Sequence, residues 1–155
     1  LTVVSGGKKT TGKARDIVAQ VVMTEMGTGF NEEALKAQAV AAYTDATHGH
    51  TLSAVSGAYY RLLIERSEDA AKKFRRLATS VWDIVPAGKT DKEIASEGLA
   101  RMEDWMRELG LAMDITACGA DPSQLEGMAD ACPINETGYV VLTREDVIDV
   151  LRQSL

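Results

Sequence analysis

Cysteine, histidine and unbroken apolar stretches are all scarce in this 155-residue chain, and each shortage removes a class of function. The two cysteines, Cys118 and Cys132, stand outside any CxxC pair, and two alone make neither a disulfide framework nor a zinc site. They read as buried, reduced thiols that behave as small apolar residues. No run of about 18 or more apolar residues occurs, so no membrane-spanning helix is expected. Residues 1–13 lack the charged-then-apolar order of a signal peptide, which points to a soluble, cytoplasmic protein. Lys and Arg number 17 against 23 Asp and Glu, and they are scattered among the acids, leaving no basic face for a phosphate backbone. Nucleic acid is therefore not an expected partner. GxGxxG, P-loop, HExxH and GxSxG patterns are all missing, and the glycines at 6–7 and 27–29 lack the flanking strand that a phosphate cradle requires.

What is present is helical patterning. Residues 1–13, rich in Gly, Lys, Thr and Ser, suit an irregular or single-strand arm. From Ala14 the apolar period is that of a helix: Val18, Val21 and Val22 share a face, and Gly27 and Gly29 end the segment. Asn31 caps a second helix, with Glu32 and Glu33 where the helix dipole favours negative charge, and Leu35, Ala39, Ala42 and Tyr43 form its expected inner face. A turn is expected at Thr47 to His50, followed by a helix with Leu52, Val55, Tyr59, Leu62 and Leu63 inward. Ser67 marks the next start, with Ala70, Phe74, Leu77, Ala78 and Val81 inward and Lys72, Lys73, Arg75 and Arg76 in water.

Pro86 and Gly88 break the chain, and Thr90 with Glu93 forms a capping box for a helix carrying Ile94, Met102, Trp105, Met106 and Leu109, stopped by Gly110. Asp121 and Pro122 open another, and Thr143 opens the last, with Val147, Val150 and Leu151 inward. The pattern predicts an all-α multi-helix bundle: an arm over 1–13 and one helical domain over 14–155.

The stretch THGHTLSAVSGAYYRLLIERSEDAAKKFRRLATSVWDI, followed in order by MEDWMRELGL, LEGMADAC and LTREDVIDVLRQSL, resembles the C-terminal helical domain of iron-containing alcohol dehydrogenases, particularly the butanol dehydrogenase branch. The resemblance covers residues 45–155. It implies a divalent iron or zinc ion that polarises a small alcohol or aldehyde oxygen while hydride passes to or from NAD(P) bound on a separate Rossmann-like domain. The family's last metal ligand lies in a His-Gly step opening a helix, which maps onto His48 and Gly49. Two upstream histidines of the family, one of them a ligand, fall at Ala34 and Gln38 here. A lone imidazole does not define an ion that needs three or four protein ligands, and His50, two residues on, is off the face of His48 if the helix has begun. The alternative for His48 is a turn histidine satisfying a local hydrogen bond.

A second resemblance lies in DIVAQVVMTEMGTGFNEEALKAQAVAAY, residues 16–43, which is similar to the core motif of the stage II sporulation protein D family of peptidoglycan lytic transglycosylases. It implies Glu25 as the catalytic acid, among Val21, Val22, Met23 and Met26, which would keep a carboxyl protonated. The structural alternative for Glu25 is a solvent-facing helical glutamate. The two resemblances meet near residues 43–48, so the chain reads as chimeric: a helix pair over 14–47 joined to dehydrogenase-type helices over 48–155. The expected function is a helical domain of dehydrogenase type without activity of its own, with a lytic transglycosylase and a structural or interaction module as alternatives. Apolar helix faces make a homo-oligomer the expected assembly.

Overall fold

The computed structural model describes residues 2–5, 8–11, 31–132 and 138–155. The expected helix with Val18, Val21 and Val22 lies outside the described residues. Near the N-terminus the expected single strand is a hairpin instead: β1 (Thr2–Ser5) pairs antiparallel with β2 (Lys8–Thr11), from Thr2 opposite Thr11 to Ser5 opposite Lys8. Gly6 and Gly7 separate the two strands in sequence, a two-residue glycine spacing of the kind that closes hairpins.

Among the described residues six helices follow: α1 (Asn31–Tyr43), α2 (His48–Arg66), α3 (Glu68–Val81), α4 (Asp91–Glu108), α5 (Leu125–Asp130, preceded by a 3₁₀ turn at Pro122–Gln124) and α6 (Arg144–Arg152). The expected inner face of α1 is only partly correct. Ala39 is buried, joined by Lys36, Ala37 and Val40, but Ala42 and Tyr43 are exposed. They sit at the helix end, where Tyr43 turns toward α5: a methyl group on Gly127 would lie 2.9 Å from the Tyr43 hydroxyl.

Around α2 the other helices collect. Its buried residues include Thr51, an unbroken run from Ser53 to Tyr60, then Leu63 and Ile64, so burial covers nearly every face rather than one stripe. It packs against α1, α3, α4 and α6. Small side chains (Ser53, Ala54, Ser56, Gly57, Ala58) allow this, because neighbouring backbones approach where no bulk holds them off. Leu52 and Leu62, expected inward, are half-buried and flank that core. Farther along, Tyr60 packs on Phe74 with ring centroids 4.9 Å apart.

Helix starts follow local chemistry. The Ser67 side chain accepts a hydrogen bond from Ala70 N at 3.3 Å, and both Thr90 with Glu93 and Thr143 with Asp146 form complete capping boxes. Asp121 caps Ser123 N with Pro122 in first position, as expected, although the turn it opens is 3₁₀ before α5 begins.

α3 and α4 run in the same direction. Lys92 at the start of α4 pairs with Glu68 at the start of α3 (3.4 Å), Gly98 meets Ala78, and Trp82 and Trp105 stand 6.3 Å apart beyond the later turns. Residues 82–90 must therefore carry the chain back, a distance within the roughly 30 Å that such a segment spans when extended. Ile84 folds onto Ala78 and Ile94 on the way, taking the inward place expected of Val81, which is 45% exposed. Leu109 is likewise 41% exposed, since the helix stops there and Gly110 turns away with φ 73°. Trp105 is half-buried.

At the far side, Arg66 at the end of α2 reaches Asp146 in the first turn of α6 at 2.7 Å. The Asp146 side chain is only 10% exposed. Burial pushes its carboxyl up, but hydrogen bonds from Thr143 and the Arg66 guanidinium together outweigh that and hold it below the usual carboxylate range. After α4, Ile115 is fully buried and its N–H donates to Ser154 O at 2.8 Å, which docks the end of the chain.

Two outcomes follow from these contacts. A Cβ at Gly98 would lie 2.4 Å from the Ala78 Cβ and 2.9 Å from its Cα, so Gly98→Ala must push α3 and α4 apart; a loss of about 1–3 kcal/mol in urea unfolding is expected. Because the folded pKa of Asp146 is depressed, its contribution is complete above the unfolded value of about 3.9 and is lost as pH falls through the lower folded value. Asp146→Asn should thus cost about 1–2 kcal/mol at pH 7, and the gap to wild type should narrow at pH 3. Equal gaps at both pH values would contradict this assignment.

Candidate functional site

The turn expected at Thr47 to His50 is the first turn of a helix. Thr47 takes the extended conformation of an N-cap, φ −69° and ψ 147°, and its carbonyl accepts from His50 N at 2.9 Å and Thr51 N at 3.2 Å. The connection from α1 is thus limited to residues 44–47. His48 is the first helical residue, with its ring in solvent; Gly49 and His50 are exposed beside it. His50 is displaced by roughly 200° around the helix, so the two imidazoles do not share a face.

The front of this turn is weakly secured. Thr47 makes no side-chain cap bond, and the first turn holds no acidic residue to meet the helix dipole. Support comes from behind, through hydroxyls. Thr51, fully buried, donates to His48 O at 3.0 Å. The Ser53 hydroxyl lies 2.9 Å from His50 O and 2.6 Å from Ala112 O, reaching the segment that follows α4. Ser56 donates to Ser53 O at 3.1 Å. The sequence held a sign of these contacts, three hydroxyls within one apolar helical stretch, but not of their partners.

Just beyond Ala112, Asp114 organises a tight turn. The Thr116 hydroxyl and the Ala117 N–H both donate to its carboxyl at 2.6 Å and hold it below the usual range. Cys118 is free and buried, and burial first, then the nearby Asp114 charge, pushes its thiol up; Cys132 is also buried. The Cys118 position therefore does not favour a thiolate.

His48 is a chemically suitable donor for iron or zinc, yet the described residues contain no group of three or more His, Cys, Asp or Glu side chains able to hold an ion. One exposed imidazole does not fit a resident metal that needs three or four protein ligands. A local hydrogen bond at His48 is made by its backbone carbonyl, which accepts from Thr51. The side chains of Ala34 and Gln38, at the two upstream histidine positions, lie outside the described residues. On the same helix Lys36 is 2% exposed, with Nζ 4.0 Å from the Tyr59 ring centroid. A buried lysine among alanines had no signal in the sequence. Glu25 lies outside the described residues. No helix among the described residues is long and apolar enough to cross a membrane.

Comparison with known proteins adds the family. The model of the Fe-containing alcohol dehydrogenase family, C-terminal, matches residues 13–155. Probable NADH-dependent butanol dehydrogenase 1 of Bacillus subtilis (strain 168) is 33% identical over 119 residues, covering 76% of this chain and 30% of that protein. Probable NADH-dependent butanol dehydrogenase 2 of the same organism is 30% identical over 122 residues, again 76% of this chain and 30% of the relative. The chain thus spans about 30% of the length of these curated relatives.

Among solved structures, NADH-dependent butanol dehydrogenase A from Thermotoga maritima matches with a TM-score of 0.67 at 19% identity, over 79% of this chain and 32% of that one. A mutant of an archaeal halo-thermophilic Red Sea brine pool alcohol dehydrogenase matches with a TM-score of 0.68 at 24% identity, over 80% and 32%. At such identities these two likenesses concern the fold. The family match runs through residues 16–43, so the segment assigned to the stage II sporulation protein D family, and with it the chimeric join near 43–48, finds no support. This chain belongs to the Fe-containing alcohol dehydrogenase family and corresponds, over residues 13–155, to its C-terminal part.

Proposed function

We propose that these 155 residues form the helical part of an NAD(P)-dependent alcohol dehydrogenase site, offering His48 as one ligand for a divalent iron or zinc ion but not holding that ion or transferring hydride unaided. The observation that carries this reading is the placement of His48 at the exposed first position of α2, with its carbonyl tied down by Thr51. An imidazole so placed supplies one bond to an ion whose remaining bonds need other donors. The named activity of the B. subtilis relatives supports a small alcohol or aldehyde as the substrate class and a nicotinamide nucleotide as the hydride carrier. A cytoplasmic location accords with two buried cysteines that form no disulfide.

Metal analysis of the purified chain, with a butanol oxidation assay containing NAD⁺ or NADP⁺, tests the proposal. Well under one equivalent of ion and no hydride transfer are expected. A stoichiometric ion together with turnover would overturn it.

A second reading, an interaction module, is favoured by one observation. Because α3 and α4 run in parallel, their exposed ends carry Val81 and Leu109 at the same end of the pair, near Trp82 and Trp105. The occupant proposed for that apolar end is a second copy of the chain. Light scattering across a concentration series should show a mass rising above the monomer, and Leu109→Glu should return it to the monomer. A wild-type chain that stays monomeric throughout removes this reading.

A further inference from the structure

We infer that Ser53 is the positioning residue of the His48–His50 edge, setting how the first turn of α2 meets the segment after α4. The inference rests on the reading above that His48, in this turn, offers one bond to a divalent ion. Ser53 is 5% exposed, and its one hydroxyl proton has two carbonyls within reach, Ala112 O at 2.6 Å and His50 O at 2.9 Å. The shorter contact takes the proton and joins residues 59 positions apart, so the turn is fixed to a distant part of the fold. Such an anchor is needed here because Thr47 provides no side-chain cap and the turn has no acid of its own. Thr51 fixes His48 within the helix, whereas Ser53 fixes the helix start in the molecule. The segment it grips is itself held by Asp114 through Thr116 and Ala117, so the support is stiff on both sides.

The test compares the full chain as wild type, Ser53→Ala, Ser53→Cys and Ser53→Thr by amide hydrogen exchange and by NMR of the two histidine rings. Loss of the hydroxyl in Ser53→Ala should speed exchange of the His50 and Thr51 amides by roughly tenfold while amides in α3 and α4 stay unchanged. The His48 ring signals should shift, and Ser53→Thr, which keeps the hydroxyl, should restore both readouts. Ser53→Cys, nearly the same shape with a weak donor, serves if the alanine variant does not fold, and should follow the alanine pattern. Unchanged exchange at His50 and Thr51 in both the Ala and Cys variants would overturn the inference. Uniform acceleration throughout the molecule would overturn it also, since that reports loss of stability alone. None of these readouts needs a metal, so the positioning role of Ser53 is decided by exchange and ring shifts alone, separately from the metal and turnover assays that test the proposed function.

Discussion

The near-complete enclosure of α2 is the constraint on which this structure depends. A helix buried on one stripe can shift against its neighbours, but one packed by α1, α3, α4 and α6 has little freedom to turn or slide. That enclosure needs small residues where neighbours come closest. At Gly57 a Cβ would sit 2.1 Å from the Glu103 carboxyl oxygen, which is paired with Arg61 at 2.6 Å. The same economy of volume lets the N-terminal turn of α2 emerge at the surface carrying His48, with Ser53 and Thr51 buried just behind it. Position and chemistry are thus linked: the core holds the helix, and the helix holds the imidazole.

How far the sequence revealed this depends on the range of the interaction involved. Caps at Ser67, Thr90 and Thr143 were legible because they close within three residues, and the inward faces of α3 and α6 were legible because a helical period is local. Ala42, Tyr43, Val81 and Leu109 were misplaced because each lies at a helix end, where burial is decided by how far the neighbouring element extends. The same period would have continued for another turn without changing the pattern. At the N-terminus, composition suggested an arm, yet two glycines between short β-compatible runs were the better guide to a hairpin.

The candidate site shows a similar division. His48 was singled out through its His-Gly step, a motif readable in one sequence. The hydroxyl supports were not found, because Ser53 and Ala112 are far apart in the chain and only the fold joins them. The family itself was legible from blocks at 47–84, 102–111, 125–132 and 142–155, and the match extends upstream to residue 13. Residues 16–43 were assigned elsewhere on a short, Ala-rich motif, and amphipathic helices of that composition share many residues without sharing descent or chemistry.

The return of residues 82–90 between parallel helices has a consequence for how the fold is tied together. Compared with the four-residue link joining α1 to α2, closing this longer link adds only about 0.7 kcal/mol of loop entropy. Ordering its backbone is the larger demand, at about 1–2 kcal/mol per residue. Against that demand stand Ile84 and Trp82, packed with Ala78 and Ile94, and the Lys89–Glu97 pair at 2.5 Å, while Val85 is 70% exposed and Ala87 adopts a left-handed φ of 41°. The strap that makes α3 and α4 parallel therefore hangs on a few rivets: Ile84 beside Ala78 and Ile94, Trp82 facing Trp105, and the Lys89–Glu97 bridge.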